Sequence, residues 1–560
     1  MKVFFIEQTN ERTRPRWQAV CWRNVERNVR RLQERIYRAT ERQDWQRVRS
    51  LQKLLVRAMS NKLLAVRRVT QENEGRNTPG VDGKVYNTPE ERMELSLGKL
   101  GLQGYRPRPV RRTYIPKPGK AEKRPLGIPT QYDRVMQAMV KAALEPEWEA
   151  RFETNSYGFR PGRNCQDAIM QIFLALSKEG SSAWIWDADI SACFDNIAHE
   201  PLLEWVPVFD QVIRSWLRAG VVEMGHYTDT ETGTPQGGLI SPLLANIALH
   251  GMEHLFGIEA TASRHTTVPA RRSGLNKGIS VIRYADDFVV LAPSRQVLEE
   301  YVIPRLTSFL AERGLTVSAT KSRIAHRDEG FNFLGFNIRR YGGKLLIKPQ
   351  KEKVQRHLGQ IREVLKRNKQ VTQEHIIQLL NPIITGWTNY YRHWVAKETF
   401  VYVQHRIWQM LWHWAKRRHR NKPTAWIRRR YFKREGNRNW VFGNEQATLR
   451  NPAAVPIVRY VKVRGHSSPY NPALREYWQQ RNQRQVDQQA NSRRKRLVLR
   501  RQHYCCAHCG IAFLPNEEIH YHHHIPRAQG GTDEMDNLRA VHNHCHHQIH
   551  QRHSEKVLKA

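Results

Sequence analysis

The sequence predicts a multidomain α+β protein that works on a polyanion, and three observations carry that reading. At about 150 residues per domain, 560 residues make three to four domains. Helical periodicities alternate with short runs of β-formers through the middle of the chain, so helix and strand share one body. Four of the seven cysteines fall in the last 60 residues among many histidines, which marks a small metal-bearing tail. The charge names the partner class: 92 Lys and Arg against 52 Asp and Glu leave +40, a self-repulsion tolerable only where a polyanion screens it. Hydrophobic residues are 40% and aromatics 9%, which excludes a disordered tail. Mean hydropathy is −0.68, and no run nears the roughly 18 apolar residues of a spanning helix, so no membrane partner is expected. The first residues hold only a brief apolar patch before charges and Pro15, so no signal peptide is expected. Three scattered cysteines in the first 500 residues argue for a reducing compartment. A bacterial cytoplasm is the expected location, with an organelle or nucleus as the alternative.

From 20 to 70 the pattern is helical, with Val25, Val29, Leu32 and Ile36 on one face. Residues 1–60 carry fifteen Lys and Arg against six Asp and Glu, an outer face suited to nucleic acid. The cluster 77–84 is a turn. Proline- and arginine-rich 105–129 predicts a hairpin with cations at its tip, Lys117 and Lys120. Helix returns at 130–155. Strands are predicted from Trp184 to Ile190 and from Ile279 to Ala292, then helices at 296–313 and between 350 and 415. Between 401 and 440 stand twelve Lys and Arg and a single Glu, interleaved with tryptophans. Cations for phosphates and aromatic faces for bases suit RNA, although most of these tryptophans are expected in the core, Trp408 and Trp412 being one helical turn apart. Arg493 to Arg496 reads as a linker before the tail.

Two acidic strings carry the chemistry. One runs from Trp186 to Asp195 and includes Asp187 and Asp189; the other places Asp286 and Asp287 between apolar strand-formers, as at a hairpin turn. Adjacent carboxylates beside apolar strands repel unless a cation lies between them. Hard oxygen ligands suit Mg²⁺, and a pair of ions about 3.5–4 Å apart can clamp the attacking and leaving oxygens of nucleotidyl transfer. An isolated Asp-Asp would be an ordinary surface turn; its pairing with the first string argues otherwise.

Tyr284-Ala285-Asp286-Asp287 resembles the YADD box of reverse transcriptases, and Asp189 with Phe194 resembles their upstream D-I-x-x-x-F box. The resemblance implies a right-hand polymerase with fingers and palm built on an antiparallel sheet, and two Mg²⁺ held by the catalytic residues Asp189, Asp286 and Asp287. It implies that Phe194 packs under the sugar and excludes a 2′-hydroxyl, and that Gln236 and Gly237, in the run 233–242, lie near the incoming dNTP. Lys117, Lys120 and Arg124 resemble the fingers cations that grip the triphosphate, Arg124 being favoured. Tyr157 to Arg163 resembles a further family block, and Phe333 to Phe336 resembles the primer-grip hairpin.

In the tail, Cys506, Cys509, His542 and Cys545 form two short-spaced pairs of soft and imidazole ligands suited to a structural Zn²⁺. Cys505 and His544 remain alternatives to Cys506 and His542. Between the pairs, His522-His523-His524-Ile525-Pro526, Asn537 and His546-x-x-x-His550 resemble the HNH nuclease motif, a ββα fold around one divalent metal ion. Aligned on Pro526, the resemblance makes His523 the general base, Asn537 the support of the hairpin loop, and His522, His546 and His550 the metal ligands. The register among His522, His523 and His524 stays open by one.

Together with Asn77 to Gly83, these blocks are most similar to group II intron-encoded proteins. The implied layout is an N-terminal extension and start of the fingers (1–110), fingers and palm (111–345), a helical thumb or maturase domain X (346–440), a DNA-binding region and linker (441–500) and the HNH domain (501–560). The implied function is RNA-directed DNA polymerase by target-primed reverse transcription, splicing maturase and site-specific DNA endonuclease. Its partners would be the intron RNA, double-stranded target DNA and dNTPs, with a homodimer left open. The alternatives are a maturase that only binds RNA and a retron-type reverse transcriptase.

Overall fold

A computed structural model describes residues 16–98, 100–116, 122–178, 180, 182–258, 276–490 and 492–557, with backbone alone for 551–557. Lys117 and Lys120, the cations expected at the hairpin tip, lie outside the described residues. The architecture is mixed α+β, as the periodicities predict.

Three helices, Trp22–Glu41, Trp45–Arg57 and Met59–Arg67, pack against the long helix Gln131–Arg151. Val25, Val29 and Ile36 are buried as predicted and Leu32 is half-buried. These helices share one apolar cluster with Trp186, Phe288 and Val290 of the central sheet, so the helical layer is continuous with the body that carries the acidic strings.

The central sheet has four strands in the order 280–284, 287–292, 184–189 and 323–326. Every pairing within it is antiparallel. Ile185, Ile282, Val289 and Leu291 are buried on its other side, which explains why these runs read as near-continuous β-formers. A second sheet is built on the hairpin Val110–Pro116 and Lys123–Ile128, with the short strands Val221–Glu223 and His226–Thr228 added beyond the first of these. A three-stranded sheet follows (331–333, 336–341, 344–349), then the helices Lys351–Arg367, Gln373–Tyr391 and Lys397–Arg418.

Arg493 to Arg496, read as a linker, open the helix Arg493–Arg501, capped by the Ser492 side chain on the Lys495 amide. The stretch 455–481, inside the region read as DNA-binding, packs on the polymerase-like body. Arg481 pairs with the fully buried Asp167, Tyr460 donates to Asn164, and Trp478 packs where a Cβ on Gly162 would come within 2.3 Å of its ring. The sequence pattern missed this because the partners lie about 300 residues away and leave no local periodicity.

Gly158 sets the position of the acidic turn. A Cβ there would stand 2.2 Å from the Ala285 backbone nitrogen, so only hydrogen fits between this loop and the turn. Gly158→Ala is expected to cost about 1–3 kcal/mol by overpacking, read as a fall in the denaturant midpoint, with loss of any activity that needs the turn.

Candidate functional site

The acidic site sits at one end of the central sheet. Asp189 ends its strand directly opposite Asp287, and Asp286 occupies the turn between 284 and 287. Ala285 takes φ 60°, a left-handed conformation that a non-glycine residue holds only when its surroundings impose it. Those surroundings are polar and buried. Arg283, 2% exposed, donates to the Ala285 carbonyl at 3.1 Å, to Asn246 Oδ1 at 2.9 Å and to Ser156 Oγ at 2.7 Å. Asn246 in turn donates to the Gly158 carbonyl at 2.8 Å. Beneath them Arg160 pairs with Glu149 at 2.8 Å, both side chains 1% exposed. The block Tyr157 to Arg163 is therefore the floor on which the turn rests.

The electrostatics are those of a site short of positive charge. Burial, then the carboxylates of Asp286, Asp189 and Asp187, push the Asp287 carboxyl up to about 7, although the residue as a whole is exposed. Burial raises Asp286 also, while Arg124 and Lys321 act against the shift. Burial, opposed by Arg323, lifts Asp187 to about 6. Lys321 is ion-paired with Asp189. A cluster that retains protons and takes a lysine as counter-ion fits hard divalent cations.

Beside it, Phe194 lies half-buried on the short helix Cys193–Asn196, its ring 6.2 Å from that of exposed Phe159. Gln236 donates to Asp195 at 3.3 Å. Gly237 has φ 129° and its missing Cβ would meet the Gly127 carbonyl at 2.7 Å, so this glycine docks the 233–242 run on the basic hairpin. Arg124, exposed on that hairpin, faces Asp286 closely enough to oppose its protonation. The Phe333 to Phe336 hairpin is braced from the helical region: Tyr390 donates to the Leu334 carbonyl at 2.7 Å and Tyr391 to the Gly335 carbonyl at 3.1 Å. These tyrosines serve packing. Trp408 and Trp412 stack on each other at 6.1 Å beside Phe432 and Trp440, but both are only half-buried and Trp440 is exposed; of the tryptophans expected in the core between 401 and 440, Trp414 alone is buried. The cations 416–420 instead line an open groove of about 940 Å³ with Arg362, Lys366 and Lys369.

Two ligand sets form in the tail; among the described residues they are the groups of three or more whose ligand atoms lie within 4.8 Å of one another. The first is Cys506, Cys509, His542 and Cys545. His542 Nδ1 stands 3.4 Å from Cys509 Sγ, whereas Cys505 turns its thiol to the His503 carbonyl at 3.5 Å. Three thiols and one imidazole facing one another fit a tetrahedral Zn²⁺. The second set is His522, His546 and His550. His522 lies on the strand Ile519–His523, which pairs antiparallel with Leu538–His542; the other two share a face of the following helix. This is a ββα arrangement, and three imidazoles fit a borderline divalent ion. His523 Nε2 lies 2.7 Å from Asp533, which Arg527 also holds. Asn537 ties the loop by accepting from the Ile525 amide at 2.7 Å and donating to the Thr532 carbonyl at 2.8 Å. Asp533 escaped the sequence reading because it lies ten residues from His523, at no spacing that marks a partner.

A carboxylate cleft beside a basic hairpin, joined to a Cys/His ββα tail, defines a polymerase body coupled to a nuclease module. Comparison with known proteins agrees. Residues 17–98 match the N-terminal domain of reverse transcriptase, 115–338 the reverse transcriptase (RNA-dependent DNA polymerase), 354–432 the group II intron maturase-specific domain and 506–552 the HNH endonuclease. Protein YkfC of Escherichia coli (strain K12) is 32% identical over 304 residues, covering 48% of this chain and 78% of that one. Group II intron-encoded protein LtrA of Lactococcus lactis subsp. cremoris is 31% identical over 321 residues, covering 48% of this chain and 53% of LtrA, so the match spans about half of that relative. An uncharacterized 91 kDa protein in the cob intron of Schizosaccharomyces pombe is 30% identical, covering 50% and 43%. The chain belongs to the group II intron-encoded proteins: a multifunctional intron protein uniting reverse transcriptase, maturase and HNH endonuclease domains. Among the described residues no helix is long and apolar enough to cross a membrane.

The raised carboxyls set a pH dependence. A carboxyl whose folded pKa lies above its unfolded value favours the folded state only while protonated, so stability falls as pH rises from about 4, the ordinary carboxylate range, towards 7. Metal-free protein should therefore lose melting temperature between pH 5 and 8. Asp287→Asn should flatten that fall, and Mg²⁺ should restore the wild type at pH 8; equal slopes for both proteins would refute the assignment.

Proposed function

We propose that the acidic cleft polymerises DNA on an RNA template, with Asp189, Asp286 and Asp287 holding two Mg²⁺. The observation that carries this reading is the register placing Asp189 opposite Asp287 with Asp286 in the intervening turn, beside a hairpin that brings Arg124 to the same cleft. When bound, the ions supply the positive charge that in-line nucleotidyl transfer requires. The remaining work belongs to the chain. Arg124, with Lys117 and Lys120, binds the triphosphate of the dNTP. Phe194 closes the space beside the sugar and discriminates against a 2′-hydroxyl. Gln236 and the backbone at Gly237 orient the templated base pair.

In the tail, Cys506, Cys509, His542 and Cys545 bind structural Zn²⁺, and His522, His546 and His550 bind the hydrolytic ion. Such an ion stabilises the charge developing on the cleaved phosphate. His523, held at Nε2 by Asp533, has Nδ1 with which to take a proton from the attacking water. Asn537 keeps that loop in register. The groove at 362–420 and the basic N-terminal face bind intron RNA through phosphates. The order of events is target-primed reverse transcription: intron RNA enters one DNA strand, the tail cuts the other, and the new 3′ end primes synthesis. A bacterial cytoplasm suits this cycle.

The test separates activities by residue. Asp286→Ala should reduce primer extension on an RNA template with dNTPs and Mg²⁺ by at least about 10³-fold, several kcal/mol of lost charge stabilisation. Second-strand nicking should continue in that variant and stop in His523→Ala. Should His523→Ala nick at the wild-type rate, the base is one of the neighbouring histidines or the nuclease assignment is wrong. Retained extension by Asp286→Ala would end the polymerase assignment. RNA affinity should fall about 10³-fold or more between 50 and 200 mM salt if six or more phosphates are contacted; a flat profile would remove the basic groove from that role.

A further inference from the structure

The Cys/His tail is seated on the N-terminal helices. Cys509 and Ile511 pack on the apolar cluster that contains Trp17, Trp22 and Val25, and a Cβ on Gly510 would lie 3.8 Å from Arg23. At the centre of this contact is Arg67, the last residue of the helix Met59–Arg67, with its side chain 2% exposed. The guanidinium lies over the Trp22 ring at 4.6 Å, and its Nε pairs with Glu72 at 2.8 Å. Nη2 reaches into the tail: it donates to Cys509 Sγ at 3.5 Å and to His544 Nε2 at 2.8 Å.

Three thiolates and a neutral imidazole around Zn²⁺ carry a net charge of about −1. That charge would be buried, since Cys506 is 2% and Cys545 1% exposed. A buried charge is costly without a counter-charge and hydrogen bonds to its ligands. Arg67 supplies both from a residue 442 positions away in the chain. It also sorts the two candidate imidazoles: with Nε2 of His544 accepting from Arg67, His542 is the one whose Nδ1 faces the sulfurs.

We propose that Arg67 is an outer-sphere partner of the Cys506, Cys509, His542 and Cys545 zinc site, and that this shared guanidinium couples zinc occupancy to docking of the nuclease tail on the N-terminal helices. The proposal rests on the zinc reading given above. Outer-shell partners of metal ligands are typically worth about 10–100-fold in metal affinity. Coupling between binding events is reciprocal, so zinc must also steady the helix that carries Arg67.

The experiment uses the full chain. Zinc stoichiometry of the purified wild type is measured first, then zinc affinity by competition with a colorimetric chelator. Arg67→Met, similar in length and without donors, should bind zinc about 10–100-fold more weakly, and Arg67→Lys should recover part of the loss. In the wild type, zinc removal by chelator under reducing conditions should speed amide exchange across residues 59–72. Wild-type zinc affinity in a folded Arg67→Met protein would overturn the coupling, as would exchange at 59–72 that ignores zinc. The exchange arm decides even if the substitution prevents folding. A wild type that binds no zinc at all would overturn the zinc reading and the coupling with it, a result distinct from zinc bound but indifferent to Arg67.

Discussion

The buried guanidinium of Arg283 holds the acidic end of the central sheet together. Two neighbouring aspartates at the tip of a strand pair repel each other, and the turn between them is held in a left-handed conformation at Ala285. Neither condition is favourable alone. Arg283 ties the turn's own carbonyl to Asn246 and Ser156, and Asn246 ties the loop at Gly158. The loop then admits no side chain at 158. The turn at 283–285 is thereby held by the 156–158 loop and by Asn246.

The same arrangement explains how the helical layers matter to the cleft. The Arg160–Glu149 pair fixes the loop to the long helix Gln131–Arg151, and that helix is packed by the three N-terminal helices. On the other side, Tyr390 and Tyr391 anchor the 333–336 hairpin to the helical region that follows. The segment 455–481, distant in sequence, covers the back of the 157–171 block through Asp167 and Gly162. The reverse transcriptase and maturase matches are thus joined by the Tyr390 and Tyr391 hydrogen bonds, which are directional and specify one arrangement where apolar packing would tolerate several.

Legibility in the sequence followed the range of the physics. Local periodicity was sufficient for the helices at 22–67 and 131–151 and for the strands around Asp189 and Asp287, because side-chain alternation and helical stripes are short-range signals. In the tail, spacing paired Cys506 with Cys509 and His546 with His550, since C-x-x-C on a knuckle and i, i+4 on a helix impose proximity directly, while Cys505 and His544 stayed open as alternatives and His522 entered only through the resemblance to the HNH motif. What the sequence did not display were contacts between distant segments: Arg283 with Ser156, Asp533 with His523, Arg481 with Asp167. Basic stretches were the least legible. Arg493 to Arg496 form a capped helix, and lysines and arginines make amphipathic helices, buried ion pairs and phosphate grooves with similar composition.

That last ambiguity has a physical resolution in how the arginines are partnered. Arg67, Arg160, Arg283 and Arg481 are buried, and each meets carbonyls, carboxylates or a thiol within the protein. Buried and partnered inside the protein, they are not at the surface where a phosphate could reach them. Arg362, Lys366, Lys369, Lys416, Arg417 and Arg420 instead line one open groove, where solvent or a phosphate backbone must complete their hydrogen bonding. The basic residues therefore include an internal set that builds the structure and an external set that lines the open groove. Only the second should follow salt, because counter-ions released on binding come from exposed charges, while buried pairs are screened little by added ions.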